Sequence, residues 1–159
     1  MNNQYTSVYS FEPSNENYNK AVALLKKYSN VEVIQKGLWS RNMVLSFYEN
    51  SVNLAGSCIR TGNDVFSIEV VSLDDFFSDE KEKPLPSFIK MDVEGAEKEA
   101  LYGSKRIIMS SKPKLAICAY HKIEDIYELP KTIKEIRSDY HYVLRQHSEG
   151  CFDMVLYAV

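Results

Sequence analysis

The chain has 159 residues, of which 45% are hydrophobic and 26% charged, as expected for one soluble globular domain over residues 1–159. A formal net charge of -3 without a block of lysine or arginine argues against nucleic-acid binding. The polar residues 1–4, the lack of a membrane-spanning apolar run and three scattered cysteines predict a cytoplasmic protein that does not contact membranes.

The first half of the chain is predicted to be mostly strands with a single long helix. Four segments have strand patterns, namely residues 6–11, 31–35, 43–48 and 66–71. Ser14 is a suitable N-cap for an amphipathic helix over residues 15–28. A turn is expected at residues 38–42, a loop at residues 50–64, and then a short helical turn capped by Ser72.

The second half alternates strands and helices, which is the rhythm of a parallel sheet covered on both faces. Strands are predicted at residues 88–91, 114–120, 141–146 and 152–159. Helices are predicted at residues 96–109 and 124–136, the second interrupted by Pro130. Residues 78–86 resemble a solvated linker, and the short loop at Gly150 predicts an antiparallel hairpin between the last two strands.

Three carboxylates cluster where the strand at residues 88–91 ends. Asp92 follows the strand directly, and Glu94 and Glu97 lie in the turn and first helical turn after it. Acidic residues favour helix N-termini, which alone could explain Glu94 and Glu97. Because Asp is poor within strands, Asp92 is the better indication of a functional site.

Glu12, His121 and His147 also follow predicted strands, and we expect them to share one sheet edge with Asp92. Neighbouring strands lie about 4.8 Å apart, so such side chains can converge on a small molecule. Glu12 suits ribose hydroxyls because a carboxylate offers two acceptor oxygens. His121 suits a general base, or simply a hydrogen-bonded histidine at the sheet end. Metal binding with Glu97 is conceivable, but the spacing matches no ligand motif, so no metal is predicted.

The segment at residues 88–97, Phe-Ile-Lys-Met-Asp-Val-Glu-Gly-Ala-Glu, resembles the FkbM family of S-adenosylmethionine-dependent methyltransferases. The sequence Phe-Glu-Pro at residues 11–13 supports the resemblance. So do residues 37–39, 71–76, 112–117, 120–122 and 144–147. The resemblance implies a Rossmann-like α/β methyltransferase fold, with a mostly parallel sheet that ends in an antiparallel hairpin.

The resemblance further implies an O-methyltransferase that uses S-adenosylmethionine to methylate a hydroxyl of a sugar or another small molecule. The cofactor-binding positions would be Glu12 for the ribose, Leu38 and Trp39 for the adenine, and Asp92 for the methionine part. The predicted catalytic residues are His121 as first choice of base, Glu94 as second, and Glu97. His147 would face the acceptor, and Arg145 would orient it or form a salt bridge.

Family members begin with a strand and a glycine-rich loop that holds the methionine end of the cofactor, whereas residues 1–5 contain no glycine. The first strand of the usual fold is therefore expected to be missing from a chain truncated at its N-terminus. The chain is therefore expected to bind S-adenosylmethionine weakly or not at all. The open strand edges should pair directly or, as we favour, produce a homo-oligomer.

Two alternatives to a methyltransferase remain open at this point. One is a non-catalytic remnant of the fold that binds a glycan or another protein. The other is a metal-dependent hydrolase that uses Asp92, Glu97 and His121.

Overall fold

The computed structural model describes residues 5–48, 65–78, 83–149 and 153–159. The chain forms two compact units, Met1–Gly37 with Met43–Val70 and Leu38–Asn42 with Val71–Val159. The predicted loop at residues 50–64 and the middle of the predicted linker lie outside the described residues, and the single-domain assignment stays a prediction. No helix in the described ranges is long and apolar enough to cross a membrane.

The first unit contains a parallel pair of strands with a helix between them: β1 (Val8–Phe11), α1 (Asn15–Leu25) and β2 (Val31–Ile34). Ser14 caps α1 as predicted, since its hydroxyl accepts a hydrogen bond from the N–H of Asn17 at 3.5 Å. The helix ends at Leu25 and not at residue 28. The N–H of Tyr28 bonds back to the carbonyl of Leu25, which tightens the chain into a turn.

A three-stranded sheet follows, with the order β3-β5-β4. Its strands are β3 (Gly37–Leu38), β4 (Met43–Tyr48) and β5 (Val65–Val71), and β4 pairs antiparallel with β5. The turn predicted at residues 38–42 is wrong at its start, because β3 occupies Leu38 and the N–H of Trp39 donates to the carbonyl of Val71 at 3.0 Å. Ser72 then caps the short helix α2 (Leu73–Phe76) as predicted, accepting from the N–H of Asp75 at 3.1 Å.

The second unit is built on a four-stranded sheet with the order β6-β7-β9-β8. Its strands are β6 (Phe88–Met91), β7 (Lys114–Cys118), β8 (Tyr142–Gln146) and β9 (Met154–Ala158). β6 and β7 are parallel, and β9 runs antiparallel to both β7 and β8, which confirms the predicted hairpin. β6 is an edge strand of this sheet, and the homo-oligomer predicted from such an edge stays a prediction.

Three helices complete the second unit: α3 (Glu97–Tyr102), α4 (Lys105–Ser111) and α5 (Asp125–Ile136). The single helix predicted at residues 96–109 is wrong, because the chain breaks at Gly103 and Ser104. The N–H of Ser104 bonds to the carbonyl of Leu101, and a new helix begins whose first N–H groups, those of Arg106 and Ile107, are capped by the Asp74 carboxylate at 2.7 and 3.0 Å.

The interruption predicted at Pro130 is also wrong. α5 runs through Pro130 without a break, although the proline ring removes one backbone donor. Leu129 and Ile133, on either side of it, are fully buried, so the packing of this helix outweighs the lost hydrogen bond. The mixed sheets and their covering helices confirm the predicted α/β class.

Candidate active site

The carboxyl ends of β6, β7 and β8 lie at one edge of the four-stranded sheet. β6 is parallel to β7, and β8 has the same direction because each is antiparallel to β9. Asp92 follows β6, His121 lies just beyond β7, and His147 follows β8. The register therefore confirms that these three residues share an edge.

Asp92 and His121 come close together at this edge. Asp92 Oδ1 lies 3.7 Å from His121 Nε2 and accepts a hydrogen bond from the hydroxyl of Tyr120 at 3.1 Å. Asp92 Oδ2 accepts from Lys90 Nζ at 3.2 Å. Both oxygens of the Asp92 carboxylate are thus held, one by Lys90 on β6 and the other by Tyr120 just beyond β7.

The turn after β6 brings two further carboxylates to the same histidine. Glu94 and Gly95 both have left-handed backbone conformations, with φ values of 55° and 91°. Such a φ is costly for a residue with a Cβ, so Glu94 marks a strained position. The turn places Glu94 Oε2 at 3.3 Å from His121 Nε2 and Glu97 Oε1 at 3.0 Å from His121 Nδ1. Glu97 Oε1 also accepts from the N–H of Val93 at 3.0 Å.

We define the acidic histidine cluster as Asp92, Glu94, Glu97 and His121. The His121 side chain is 10% exposed and that of Glu97 only 1%, whereas those of Asp92 and Glu94 are 37% and 31% exposed. Neither His121 nitrogen, nor Glu97 Oε2, makes a well-aligned hydrogen bond to another described group. The cluster is therefore held mainly by close ionic contacts: Nδ1 faces the buried Glu97, whereas Nε2, itself buried, faces the partly exposed carboxylates of Asp92 and Glu94.

Burial and charge act in opposite directions on the titration of this cluster. Burial by itself lowers the pKa of His121, but the contact with Glu97 and the charges of Glu97, Glu94 and Asp92 outweigh it, so the pKa is raised. Burial raises the pKa of Glu94, against the opposing effect of His121. Burial also acts to raise the pKa of Asp92, but Lys90 reverses the effect and the pKa is lowered. His121 and Glu94 thus act on each other: the Glu94 charge helps to raise the pKa of His121, and His121 opposes the rise in the pKa of Glu94.

Several neighbours of the cluster were missed by the sequence analysis. The Tyr120 ring lies 4.1 Å from that of His121, and burial followed by the charge of Asp92 raises the pKa of its hydroxyl. Cys118, 3% exposed, has its pKa raised to about 12 by burial and by Asp92. The Lys122 ammonium donates to the carbonyl of Gly95 and fastens the turn. In the sequence, only the position of Tyr120 directly before His121 indicated such a neighbour. The other contacts join segments that are distant in the sequence.

The predicted substrate-binding residues lie on the same edge but on a more distant strand. β8 is two strand spacings from β7, or about 10 Å. Arg145 and His147 are both exposed, and His147 Nε2 lies 2.8 Å from the hydroxyl of Tyr157. No contact of either residue with the acidic histidine cluster is found in the described ranges, and their roles stay predictions.

The predicted ribose and adenine positions are in the earlier part of the chain. Glu12 belongs to the first unit, where its Oε1 accepts from the N–H of Ser14 at 2.8 Å. Leu38 is buried and Trp39 half-buried, at and after β3. Their cofactor roles stay predictions. Among the residues that the structure describes, no group of three His, Cys, Asp or Glu side chains is arranged to hold a metal ion.

Comparison with known proteins points to one family. The family model described as the methyltransferase FkbM domain matches residues 2–145. The crystal structure of methyltransferase FkbM from Methylobacillus flagellatus KT is similar to this chain, with a TM-score of 0.77 and 31% sequence identity. The match covers 97% of this chain and 36% of that one, so the chain spans about a third of the other protein's length. No curated protein sequence matches the chain. The similarity confirms the predicted Rossmann-like fold.

Proposed function

The chain belongs to the FkbM methyltransferase family, and we propose that it acts, alone or as part of a larger protein, as an S-adenosylmethionine-dependent O-methyltransferase on a sugar or another small hydroxyl compound. The observation that supports this proposal is His121 at the sheet edge, with Nε2 facing the partly exposed carboxylates of Asp92 and Glu94. S-adenosylmethionine supplies a methyl group that its sulfonium charge already activates. The protein then has to align a hydroxyl and accept its proton.

The chemistry of the cluster fits a positively charged methyl donor. Asp92 and Glu94 present partly exposed carboxylates beside Nε2 of His121, and such groups attract a sulfonium or an amino group. We propose that Asp92 lines the methionine part, Glu12 the ribose, and Leu38 with Trp39 the adenine. Of these two, Trp39 is the better candidate to cover the adenine base, because its aromatic ring is only half-buried. Leu38 is almost fully buried.

His121 is the proposed general base. Its Nδ1 faces the buried Glu97, and its Nε2, also buried, faces the partly exposed Asp92 and Glu94, so Nε2 is the nitrogen proposed to take a proton from an acceptor hydroxyl. This step needs the neutral imidazole. Because the surrounding carboxylates raise the pKa of His121, the methylation rate should increase as the pH rises through that raised value.

The charge of the cluster also favours particular acceptors. Three carboxylates surround His121, so a phosphate or carboxylate next to Nε2 would meet like charges. Hydroxyl groups instead donate hydrogen bonds to Asp92 and Glu94. We therefore propose a neutral, polyhydroxylated acceptor.

The test compares two single histidine variants of the full chain. Tritium transfer from labelled S-adenosylmethionine to a panel of methyl glycosides is measured for the wild type, His121→Ala and His141→Ala. His141 is exposed and precedes β8, at the opposite edge of the sheet, so it is a matched control. We expect His121→Ala to lower kcat about 10²–10⁴-fold and His141→Ala to leave it unchanged.

Three results would contradict parts of the proposal. Equal kcat values for the wild type and a folded His121→Ala variant would remove His121 as the base and favour Glu94. A wild-type chain that binds S-adenosylmethionine in calorimetric titration but transfers tritium to no glycoside would refute the O-methyltransferase assignment, and a chain that does not bind the cofactor would refute activity of this chain alone.

A further inference from the structure

Glu97 was expected to face the acceptor, but its position is unsuited to that. Its side chain is 1% exposed, so a bound acceptor has no access to it. Its carboxylate nevertheless makes two close contacts within the protein, at 3.0 Å from His121 Nδ1 and at 3.0 Å from the N–H of Val93. A carboxylate is costly to bury unless it is paired. These two contacts offset that cost and allow Glu97 to be buried.

We propose that Glu97 is a positioning residue whose charge holds a proton on His121 Nδ1 and so leaves the lone pair of neutral His121 on Nε2, on the side of Asp92 and Glu94. The inference rests on the proposed function for its catalytic meaning. The geometry that carries it does not depend on any ligand. Neutral imidazole has one N–H and one acceptor nitrogen, and the partner of one nitrogen decides which is which.

The environment of Nε2 explains why such a partner is needed. Nε2 lies 3.3 Å from Glu94 Oε2 and 3.7 Å from Asp92 Oδ1, and both are acceptors. Left to these two carboxylates, a neutral His121 would carry its proton on Nε2 and donate it to them. That tautomer cannot accept a proton from a hydroxyl at Nε2. The closer, buried Glu97 at Nδ1 opposes this preference.

The same carboxylate oxygen connects the ring to the strained turn. Because Glu97 Oε1 contacts both His121 Nδ1 and the N–H of Val93, the ring position depends on the turn through Glu94 and Gly95. Other groups also influence the titration of His121. They are Asp92 after β6, Glu94 in the turn, Tyr120 beside the ring, and Asp125 at the start of α5.

The decisive measurement is ¹⁵N NMR of the full chain labelled at histidine, which has only three histidines to assign. The variant is Glu97→Gln, which keeps the shape of the side chain and an oxygen for Val93 but removes the charge. Glu99→Gln on the same helix is the matched control. Folding of each variant is checked by circular dichroism.

We expect wild-type and Glu99→Gln chains to show neutral His121 protonated on Nδ1. In Glu97→Gln, the titration midpoint of His121 should fall by at least about one pH unit, and the Nε2–H tautomer should appear. The acid limb of the kcat/KM profile should move to lower pH with it, and kcat should fall more than KM rises.

A folded Glu97→Gln chain with an unchanged His121 midpoint and tautomer would refute the positioning role. So would equal shifts in Glu97→Gln and Glu99→Gln. The NMR measurement needs neither methyl donor nor acceptor. If the shifts occur in a chain that transfers no methyl group, the positioning role stands and the proposed methyltransferase function fails.

Discussion

Gly103→Ala tests a close backbone approach within the second unit. A Cβ placed on Gly103 would lie 2.0 Å from the carbonyl oxygen of Trp39 and 3.0 Å from its carbonyl carbon. An ordinary carbon–oxygen contact is about 3.3 Å, so one of the two backbones would have to move by roughly 1 Å or more. Gly103 has a φ of -73°, which alanine adopts freely, so any loss of stability comes from this collision.

Overpacking of a well-packed interior costs about 1–3 kcal/mol, and a clash with backbone belongs at the upper end. The lower conformational entropy of unfolded alanine returns about 0.4–1 kcal/mol. We expect a net loss of about 2 kcal/mol in the free energy of unfolding, or a decrease in Tm of roughly 4–8 °C. Thermal and urea unfolding followed by circular dichroism would measure it.

Gly37→Ala is the matched control for this prediction. Gly37 is also buried, but a Cβ there would meet the side-chain methyl groups of Val70 at 3.0 Å and Ile68 at 3.4 Å, which can adjust. Its stability should change by less than about 1 kcal/mol. If Gly103→Ala were as stable as Gly37→Ala, the contact between Gly103 and Trp39 could not be the constraint that we infer.

Three further substitutions test other contacts. Glu94→Gly relieves the left-handed backbone strain at φ 55°, so the variant should unfold at an equal or higher urea concentration than the wild type. Its rate of methyl transfer should be lower. A clear loss of stability would contradict the inferred strain. Tyr140→Phe removes the buried 2.7 Å bond to the Pro113 carbonyl and should lower the free energy of unfolding by about 1–2 kcal/mol in urea titration, so an unchanged midpoint would count against that bond. Contact with Arg137 lowers the pKa of Asp139 to about 2, below an unfolded value of about 3.9, so its stabilising effect is present above roughly pH 4 and lost as the pH falls toward 2. In the Asp139→Asn variant, the free energy of unfolding should depend less on pH between about 4 and 2. The same pH dependence in the wild type and the variant would refute the stabilising role of Asp139.

The local sequence predicted the elements whose causes are local. Ser14 and Ser72 are N-caps because a hydroxyl suits the first N–H groups of a helix wherever the helix lies. The break at Gly103 was missed because the Asp74 carboxylate that caps the next helix and the Trp39 carbonyl that leaves no room for a Cβ are both distant in the sequence. At Pro130 a break was predicted that does not occur, since the burial of α5 outweighs the low helix propensity of proline.

The site shows the same division between local and distant causes. Asp92 and His121 could be predicted to meet, because each follows one of two parallel strands and such ends share an edge. The depth of Glu97 could not, because an acid in the first turn of a helix is usually solvated. Its burial arises at the contact with His121, after β7, and the sequence has no periodicity that reports such a contact.

Cys118 gives the second unit an internal reporter of local opening. Only a thiolate reacts readily with alkylating reagents, and with a pKa of about 12 only about one Cys118 in 10⁵ is ionised at pH 7. Burial at the end of β7, beside Asp92, adds a steric barrier. In a chain with Cys58 and Cys151 replaced by serine, labelling of Cys118 should therefore proceed only as fast as this part of the sheet opens. The rate would report the free energy of local opening beneath the acidic histidine cluster, separately from that of global unfolding.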